Sequence, residues 1–430
     1  MTMRSKIIIG LVLVLCVLGV LALGQFYHEL LAAYEQAGTL SDSEYSWVFR
    51  LLLNLFGYST VLVPCYVLYK YLERTNYFDK ITNQTWVSRA LFACFSEHDR
   101  IPETAKPAKV EESPQREGLE LAFCFTGLMG AYLVWGLLQE KIMTQNYAMP
   151  DGTFLRFNDS QFLVFINRLL GFLIAFTRLL CTRQQVIAAP LYKFSYCSLT
   201  NIISAWCQYE ALKYVSFPTQ VLSKSCKVIP VMLMGKLISR NKYEPYEYGT
   251  ALLISVGMML FMFGSQDQPA SWGATSASGV CLLALYMWCD SFTSSWQGAL
   301  FRRHSLQPLQ MLCAVNLCSC ALTAAALLRA RPSATPRLLQ NPMFVSDCAL
   351  LSVSSALGQL LIYRTIARFG PVVFTIIMTL RQAVSILVSC AVFGHAISAL
   401  GALGIVLVFA AVLLRVRCRT RKQKPPAQPA

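Results

Sequence analysis

Charged side chains are scarce in this chain. Only 14% of its 430 residues are Asp, Glu, Lys or Arg, whereas 55% are hydrophobic. This balance excludes a soluble globular protein, because apolar runs of membrane-spanning length recur from one end of the chain to the other. The alternating strands of about ten residues that form outer-membrane barrels are missing as well. The sequence therefore predicts an all-α polytopic membrane protein.

Histidines are few, and the cysteines do not follow the spacing of metal ligands. The 4 histidines are scattered, and the 16 cysteines show no CxxC or Cys/His ligand spacing. Most of these cysteines lie in apolar segments, where a thiol packs as a small hydrophobe. We therefore expect no metal site, no cofactor and no disulfide framework. Walker, DxD, Ser/His/Asp and HExxH patterns are absent too, so we assign no catalytic residue and do not expect an enzyme.

What the chain has instead is a series of twelve hydrophobic segments. We delimit them at residues 7 to 24, 47 to 70, 119 to 139, 159 to 180, 192 to 212, 218 to 238, 246 to 264, 275 to 297, 307 to 328, 345 to 365, 370 to 392 and 396 to 415. Ten of them follow residue 119 and form the predicted core, which two N-terminal segments precede.

The net charge of +15 does not indicate a nucleic-acid partner, because the basic residues are dispersed through short connections and a tail. Their placement follows the positive-inside bias, which puts both ends of the 119 to 415 block in the cytosol. Arg329, Arg331 and Arg337 are the exception, since they fall in a loop predicted to be luminal. The glycosylation sequon at Asn158 falls on the same luminal side, next to a membrane helix.

The N-terminal region divides into three parts. Residues 1 to 24 read either as a signal peptide or as an uncleaved signal anchor. Residues 25 to 72 would hold a luminal segment and an extra transmembrane helix, and residues 73 to 118 a disordered cytosolic linker. Within that linker, Thr85 to Phe95 could lie as an interfacial helix. Residues 416 to 430 form a basic cytosolic tail.

The segment at 218 to 238 carries two lysines, Lys224 and Lys227, inside its apolar run. A lysine at the centre of a membrane helix costs about 2.5–3.5 kcal/mol. Snorkelling from a helix end would reduce this cost, but both residues lie too deep for it. Their spacing of three residues places them on one helix face. We interpret them as an anion site within the bilayer, with a structural ion pair to a buried carboxylate as the alternative.

The ten core segments divide into two sets of five, at residues 119 to 266 and 275 to 415. An odd number of spans in each half forces the halves into opposite orientations in the membrane. This is the inverted-repeat plan of secondary transporters, whose substrate site lies near the midplane between the repeats.

The fourth segments of the two halves are alike. Lys227 follows Pro218 by nine residues, and Arg381 follows Pro371 by ten. We therefore expect Lys224, Lys227 and Arg381 to face one central cavity. Three converging cations would suit a ligand that carries phosphate or sulfate.

Four further charged residues lie within or beside apolar segments. Arg168 would contact substrate or pair with a helix neighbour. Glu140 and Glu210 could hold a cavity cation when ligand is absent, although ordinary hydration near the luminal helix ends would also satisfy them. Asp290 lies deeper, where it would serve the fold or the cavity.

A nucleotide ligand would need an apolar face for its base. Aromatic residues in membrane helices more often serve packing than stacking. The stacking candidates are Tyr132, Trp206, Tyr209, Tyr286 and Tyr363.

Four long blocks carry a resemblance to a known family. They are WCQYEALKYVSFPTQ from Trp206, KVIPVMLMGK from Lys227, DSFTSSWQ from Asp290 and FTIIMTLRQ from Phe374. With these blocks the chain resembles the Golgi transporters of 3′-phosphoadenosine 5′-phosphosulfate, in the nucleotide-sugar transporter branch of the drug/metabolite transporter superfamily. The resemblance covers about residues 119 to 415.

The resemblance implies import of this sulfate donor from the cytosol into the Golgi lumen, by exchange with adenosine 3′,5′-bisphosphate through alternating access. It implies that Lys224, Lys227 and Arg381 bind phosphate and sulfate, and that Gln220 and Glu140 line the cavity. Because the tail lacks a terminal dilysine signal, the Golgi is favoured over the endoplasmic reticulum. A nucleotide-sugar or ATP exchanger of the same fold, a non-transporting membrane scaffold and a homo-oligomer all stay open.

Overall fold

The computed structural model describes three stretches of the chain and single positions between residues 7 and 29. The stretches are 46–75, 86–95 and 114–423, without residues 145, 149–153, 158–159, 187–188, 212–213, 216–222, 225, 241, 265–276, 331–337 and 394–398. Some side chains within these stretches are also left undescribed. Among the described residues the fold is helical, apart from one short hairpin.

Twelve α-helices follow one another along the described part of the chain. They are α1 (Ser46–Arg74), α2 (Trp86–Phe95), α3 (Pro114–Thr144), α4 (Ser160–Cys181), α5 (Leu191–Ala211), α6 (Val228–Ser239), α7 (Pro245–Gly264), α8 (Ala277–His304), α9 (Pro308–Ala330), α10 (Pro342–Phe369), α11 (Pro371–Phe393) and α12 (Ala399–Gln423).

The apolar helices confirm a helical protein with several segments of membrane-spanning length. Four described stretches are long and apolar enough to cross a bilayer: Trp47–Arg74, Gln115–Gln139, Phe162–Cys181 and Pro342–Phe369. The helix predicted at Thr85 to Phe95 is present as α2, while its interfacial position stays a prediction. The signal segment at 1 to 24 lies largely outside the described residues.

A small hairpin between α3 and α4 departs from the all-α prediction. Strands β1 (Asn146–Ala148) and β2 (Phe154–Arg156) pair antiparallel, with Tyr147 opposite Leu155. The sequence between them, Pro150-Asp151-Gly152, is typical of turns. Hydrophobic periodicity detects membrane helices and misses strands of three residues.

The chain forms two compact units. Unit 1 comprises Met1–Leu199 and His304–Arg364, and unit 2 comprises Thr200–Arg303 and Thr365–Ala430. Each unit thus takes segments from both of the predicted five-helix halves. Compactness does not test a symmetry of helix order, so the inverted repeats stay a prediction.

The core of unit 1 includes a cluster around the hairpin. Tyr147 and Phe157 contact Phe344 at the start of α10, with ring centroids 5.2 Å apart in both cases. Asn341 donates from Nδ2 to the Ala148 carbonyl oxygen at 2.8 Å, while its Oδ1 accepts from the Met343 amide at 2.9 Å. Asn341 therefore caps the N-terminus of α10 and ties it to the hairpin.

In unit 2 the helices α7 and α12 approach each other at glycine. A Cβ atom added to Gly404 would lie 2.5 Å from the carbonyl oxygen of Gly257. Such close backbone approach is typical of membrane helix pairs, because small residues maximise van der Waals contact where no hydrophobic driving force acts. The neighbouring core packs Met258, Phe261 and Val408.

The segment predicted as one helix from 218 to 238 is shorter in the structure. Helix α6 begins at Val228, directly after Lys227, and residues 216–222 lie outside the described part. Ser223 and Lys224 are helical, and a turn at Cys226 and Lys227 separates them from α6. The prediction that both lysines lie within one continuous helix is therefore wrong at this point. A hydropathy pattern marks an apolar run but does not locate the residue at which the helix begins.

Candidate anion-binding site

Lys227 is fixed at the beginning of α6. It has helical backbone angles, φ −62° and ψ −19°, and its carbonyl oxygen accepts a hydrogen bond from the Val231 amide at 3.1 Å. Its ammonium group forms an ion pair with the Asp290 carboxylate on α8. The pair is not sealed, since the Lys227 side chain is 13% exposed and that of Asp290 25%.

The register of α8 against α6 is held one turn further along both helices. Ser295 Oγ donates to the Val231 carbonyl oxygen at 3.3 Å. On the other side of α8, the hydroxyls of Thr293 and Thr200 lie 2.7 Å apart and hydrogen-bond. These contacts fix the position of α8 along α6, and thereby place Asp290 next to Lys227.

Lys224 lies close to this ion pair and to Arg381. Its ammonium group lies within electrostatic range of Asp290, Arg381 and Lys227. Arg381 projects from α11 and is half-buried. The structure thus brings together, within unit 2, the three cations that sequence reasoning singled out. That they bind substrate stays a prediction.

Lys224 is surrounded by more positive than negative charge. It interacts with two cations, Lys227 and Arg381, and with one carboxylate, that of Asp290. Like charges repel strongly in a medium of low dielectric constant, and each carries a desolvation cost. Lys224, Lys227 and Arg381 together can therefore bind an anion that carries several charges.

Arg168 belongs to unit 1 and has a different environment. It projects from α4, and its Nη1 donates a long hydrogen bond of 3.4 Å to Asn316 Oδ1 on α9. Asn316 is fully buried. Its close approach is possible because α4 carries Gly171, where an added Cβ would lie 2.6 Å from Asn316 Nδ2. No carboxylate pairs with Arg168 in the described part of the chain.

Two of the candidate aromatics lie near Arg168. Tyr363 on α10 is buried and within electrostatic range of Arg168 and Tyr132. Tyr132 packs its ring edge against Trp135, with centroids 6.2 Å apart. Arg168, Tyr132 and Tyr363 therefore form a second polar group, distinct from the lysines.

The other candidates are less fully described. Gln220 lies outside the described residues, as do the side chains of Glu140 on α3 and Tyr209 on α5. Tyr286 is buried on α8, and Glu210 is only 7% exposed. Glu210 is therefore too buried for the ordinary hydration that its position near a helix end suggested.

Sequence reasoning missed an ionic cluster in unit 1. Lys141 Nζ lies 2.8 Å from Asp347 Oδ1, and Tyr147 donates from its hydroxyl to Asp347 Oδ2 at 3.0 Å. Burial, and then the hydrogen bond and charge of Asp347, raise the pKa of the Tyr147 phenol. The phenol therefore stays protonated, and its O–H group donates the hydrogen bond to Asp347. The one available signal was an aspartate inside the apolar segment at 345 to 365.

Comparison with known proteins matches this chain to one family and to individual transporters. The UAA transporter family matches residues 120–419. A Drosophila melanogaster protein named adenosine 3′-phospho 5′-phosphosulfate transporter 1 is 50% identical over 92% of this chain and 90% of its own. The Homo sapiens protein of the same name is 46% identical over 87% and 88%.

More distant matches extend this picture. The UDP-galactose/UDP-glucose transporter 5 of Arabidopsis thaliana is 36% identical over 75% of this chain and 95% of its own. A solved crystal structure superposes with a TM-score of 0.52 at 13% identity, covering 70% of this chain and 99% of the other. At that identity the structural likeness concerns the fold alone.

Proposed function

Because this chain belongs to the UAA transporter family, a family of transporters and not of enzymes, we propose that it carries 3′-phosphoadenosine 5′-phosphosulfate across the Golgi membrane. The observation that supports the ligand class is that Lys224 lies within electrostatic range of two further cations, Lys227 and Arg381. The named relatives point to this ligand among the anions that such a group could bind.

The chemistry of the ligand suits the cation group. A phosphate carries about two negative charges at neutral pH, so a nucleotide with a 3′-phosphate and a phosphosulfate carries several. Arg381 offers a planar fork for two oxygens, whereas Lys224 and Lys227 act as point charges. We assign these three residues to the phosphate and sulfate oxygens.

Transport would proceed by exchange. The donor enters the lumen from the cytosol, and adenosine 3′,5′-bisphosphate leaves in return. The two inverted repeats would alternate the access of the site between the two sides of the membrane. The basic residues from Arg415 to Lys424 favour a cytosolic C-terminus under the positive-inside bias.

The remaining candidates each carry a separate hypothesis about recognition. Base stacking is assigned to Tyr132, Tyr209 and Tyr363. Polar contacts are assigned to Gln220, Glu140 and Arg168. Each hypothesis expects that an alanine variant raises KM for the sulfate donor while folded yield is retained; an unchanged KM removes that residue from the site.

A second candidate substrate is a UDP-sugar. The similarity to the plant UDP-galactose/UDP-glucose transporter favours it, because that protein also covers most of the transporter core. A pyrophosphate would use the same cations, so charge alone does not separate the two ligands.

One experiment decides between these substrates. Purified protein is reconstituted in liposomes preloaded with adenosine 3′,5′-bisphosphate, and uptake of radiolabelled donor is measured against UDP-sugars and ATP. We expect saturable uptake that unlabelled bisphosphate blocks and UDP-sugars leave unchanged. Flux of a UDP-sugar without flux of the sulfate donor would replace the proposed substrate, and no flux of any nucleotide would favour a scaffold.

A further inference from the structure

The Asp290 carboxylate pairs with the residue that should receive the ligand. It contacts Lys227 directly and acts on Lys224 as well. A ligand oxygen and this carboxylate would therefore compete for the same ammonium group.

The surroundings of the pair allow such an exchange of partners. The Asp290 side chain is 25% exposed, so the protein does not fully enclose it. The contrast is Asp347 in unit 1, which is 9% exposed and whose two oxygens are held by Lys141 and Tyr147. The pair at Lys227 is built on fixed backbone, yet it is open to a third group.

The charges around the Lys227–Asp290 pair indicate what the pair does. Without a ligand, Lys227 and Arg381 both repel Lys224, and the Asp290 carboxylate, which attracts it, offsets part of that repulsion. With a polyanionic ligand bound, the carboxylate becomes surplus, and its repulsion from the ligand favours release from Lys227.

We propose that Asp290 is an internal stand-in for the substrate anion: it holds Lys227 while the site is empty, and a phosphate or sulfate oxygen displaces it on binding. This inference rests on the proposed function and names a further residue that sets affinity. Because it offsets the lysine charges while the empty carrier changes sides, when they are most desolvated, Asp290 also lowers the barrier for that step.

The test measures binding and transport by full-length Asp290→Asn. Removing the competing carboxylate should lower the Kd for adenosine 3′,5′-bisphosphate at least about fivefold in calorimetry. Exchange into preloaded liposomes should persist, whereas uptake into unloaded liposomes should fall, since the empty cations are no longer offset. Asp347→Asn is the matched control, because it removes the carboxylate of the other Lys–Asp pair; it should leave both Kd and the exchange-to-uptake ratio unchanged.

A second variant ties the effect to its partner. In the background of Lys227→Gln, Asp290→Asn should lower Kd much less than it does in the wild type, because only its effects on Lys224 and on the ligand itself are then removed. If Asp290→Asn alone does not yield folded protein, the double variant should restore the yield by removing the uncompensated lysine. Failure to restore it would overturn the pairing.

Two results overturn the proposal itself. A higher Kd in Asp290→Asn would mean that Asp290 positions Lys227 for the ligand instead of competing with it. An equal change in Kd with and without Lys227 would mean that Asp290 acts elsewhere.

Failure of the proposed function has a different signature. In that case the wild-type protein itself does not bind the bisphosphate. The same variants are then measured with the UDP-sugar that the wild type transports, where the same fall in Kd is expected.

Discussion

Two Lys–Asp pairs of the same chemistry sit in the two units of this protein and differ in everything around them. In unit 1, Asp347 bonds both Lys141 and Tyr147, so each of its oxygens has a partner. In unit 2, Asp290 faces Lys227, with Lys224 close enough to interact and Arg381 next to Lys224. In the first pair both carboxylate oxygens have a partner, whereas in the second a single carboxylate acts on two lysines.

The difference separates a structural ion pair from a candidate binding site. The pair in unit 1 stabilises the contact between α3, the hairpin and α10, and both oxygens of Asp347 are already bonded. Two lysines beside one carboxylate are costly to bury, because the two positive charges share a single counter-charge. The excess of lysine over carboxylate, and not the presence of a buried lysine, is thus the feature that marks the site.

The largest effect should come from removing Lys227. We expect Lys227→Gln to reduce uptake of the sulfate donor about 100-fold in kcat/KM, about 2.8 kcal/mol, because a desolvated contact to an anion is lost. Lys227→Arg keeps the charge and should retain part of the uptake. Lys141→Gln is the control from unit 1 and should leave KM unchanged; a comparable loss there would erase the distinction between the two pairs.

The next effect concerns backbone packing. Gly404→Ala places a methyl group against the backbone of α7, so we expect a loss of about 2–3 kcal/mol in stability. Gly171→Ala in unit 1 meets the end of the Asn316 side chain instead and should cost less. Thermal unfolding of both variants in detergent measures the difference, and equal midpoints would contradict it.

A smaller effect is expected from removing the carboxylate of the Lys141–Asp347 pair. Asp347→Asn leaves Lys141 without its charged partner and should lower the free energy of unfolding by about 1–3 kcal/mol. KM for the donor should not change. A raised KM with an unchanged unfolding midpoint would show that this pair belongs to the transport site after all.

The smallest effect should come from Tyr147→Phe. It removes the hydroxyl that donates to Asp347 and retains the ring that packs against Phe344, so the expected loss is about 1 kcal/mol. Combining it with Asp347→Asn should add little, because both changes remove the same hydrogen bond. Fully additive losses in unfolding experiments would mean that the two residues act independently.

The sequence predicted much of the helical fold and part of the site. Long apolar runs locate membrane helices well, since backbone groups in lipid must be satisfied within the segment. The pattern missed the hairpin at Tyr147 and the start of α6 after Lys227, because short strands and helix ends leave little trace in hydropathy. It marked Arg381 as a costly intramembrane cation but said little about Asp290.

By itself the sequence determined the class of the protein, its membrane helices and the cations it must bury, because composition and the cost of charge in lipid are local properties. Only the tertiary structure decided which charges meet. It paired Lys227 with Asp290 and Lys141 with Asp347, although the partners lie far apart in the chain. The physical reason is that a buried charge is satisfied by its neighbours in space, and those are set by how helices pack.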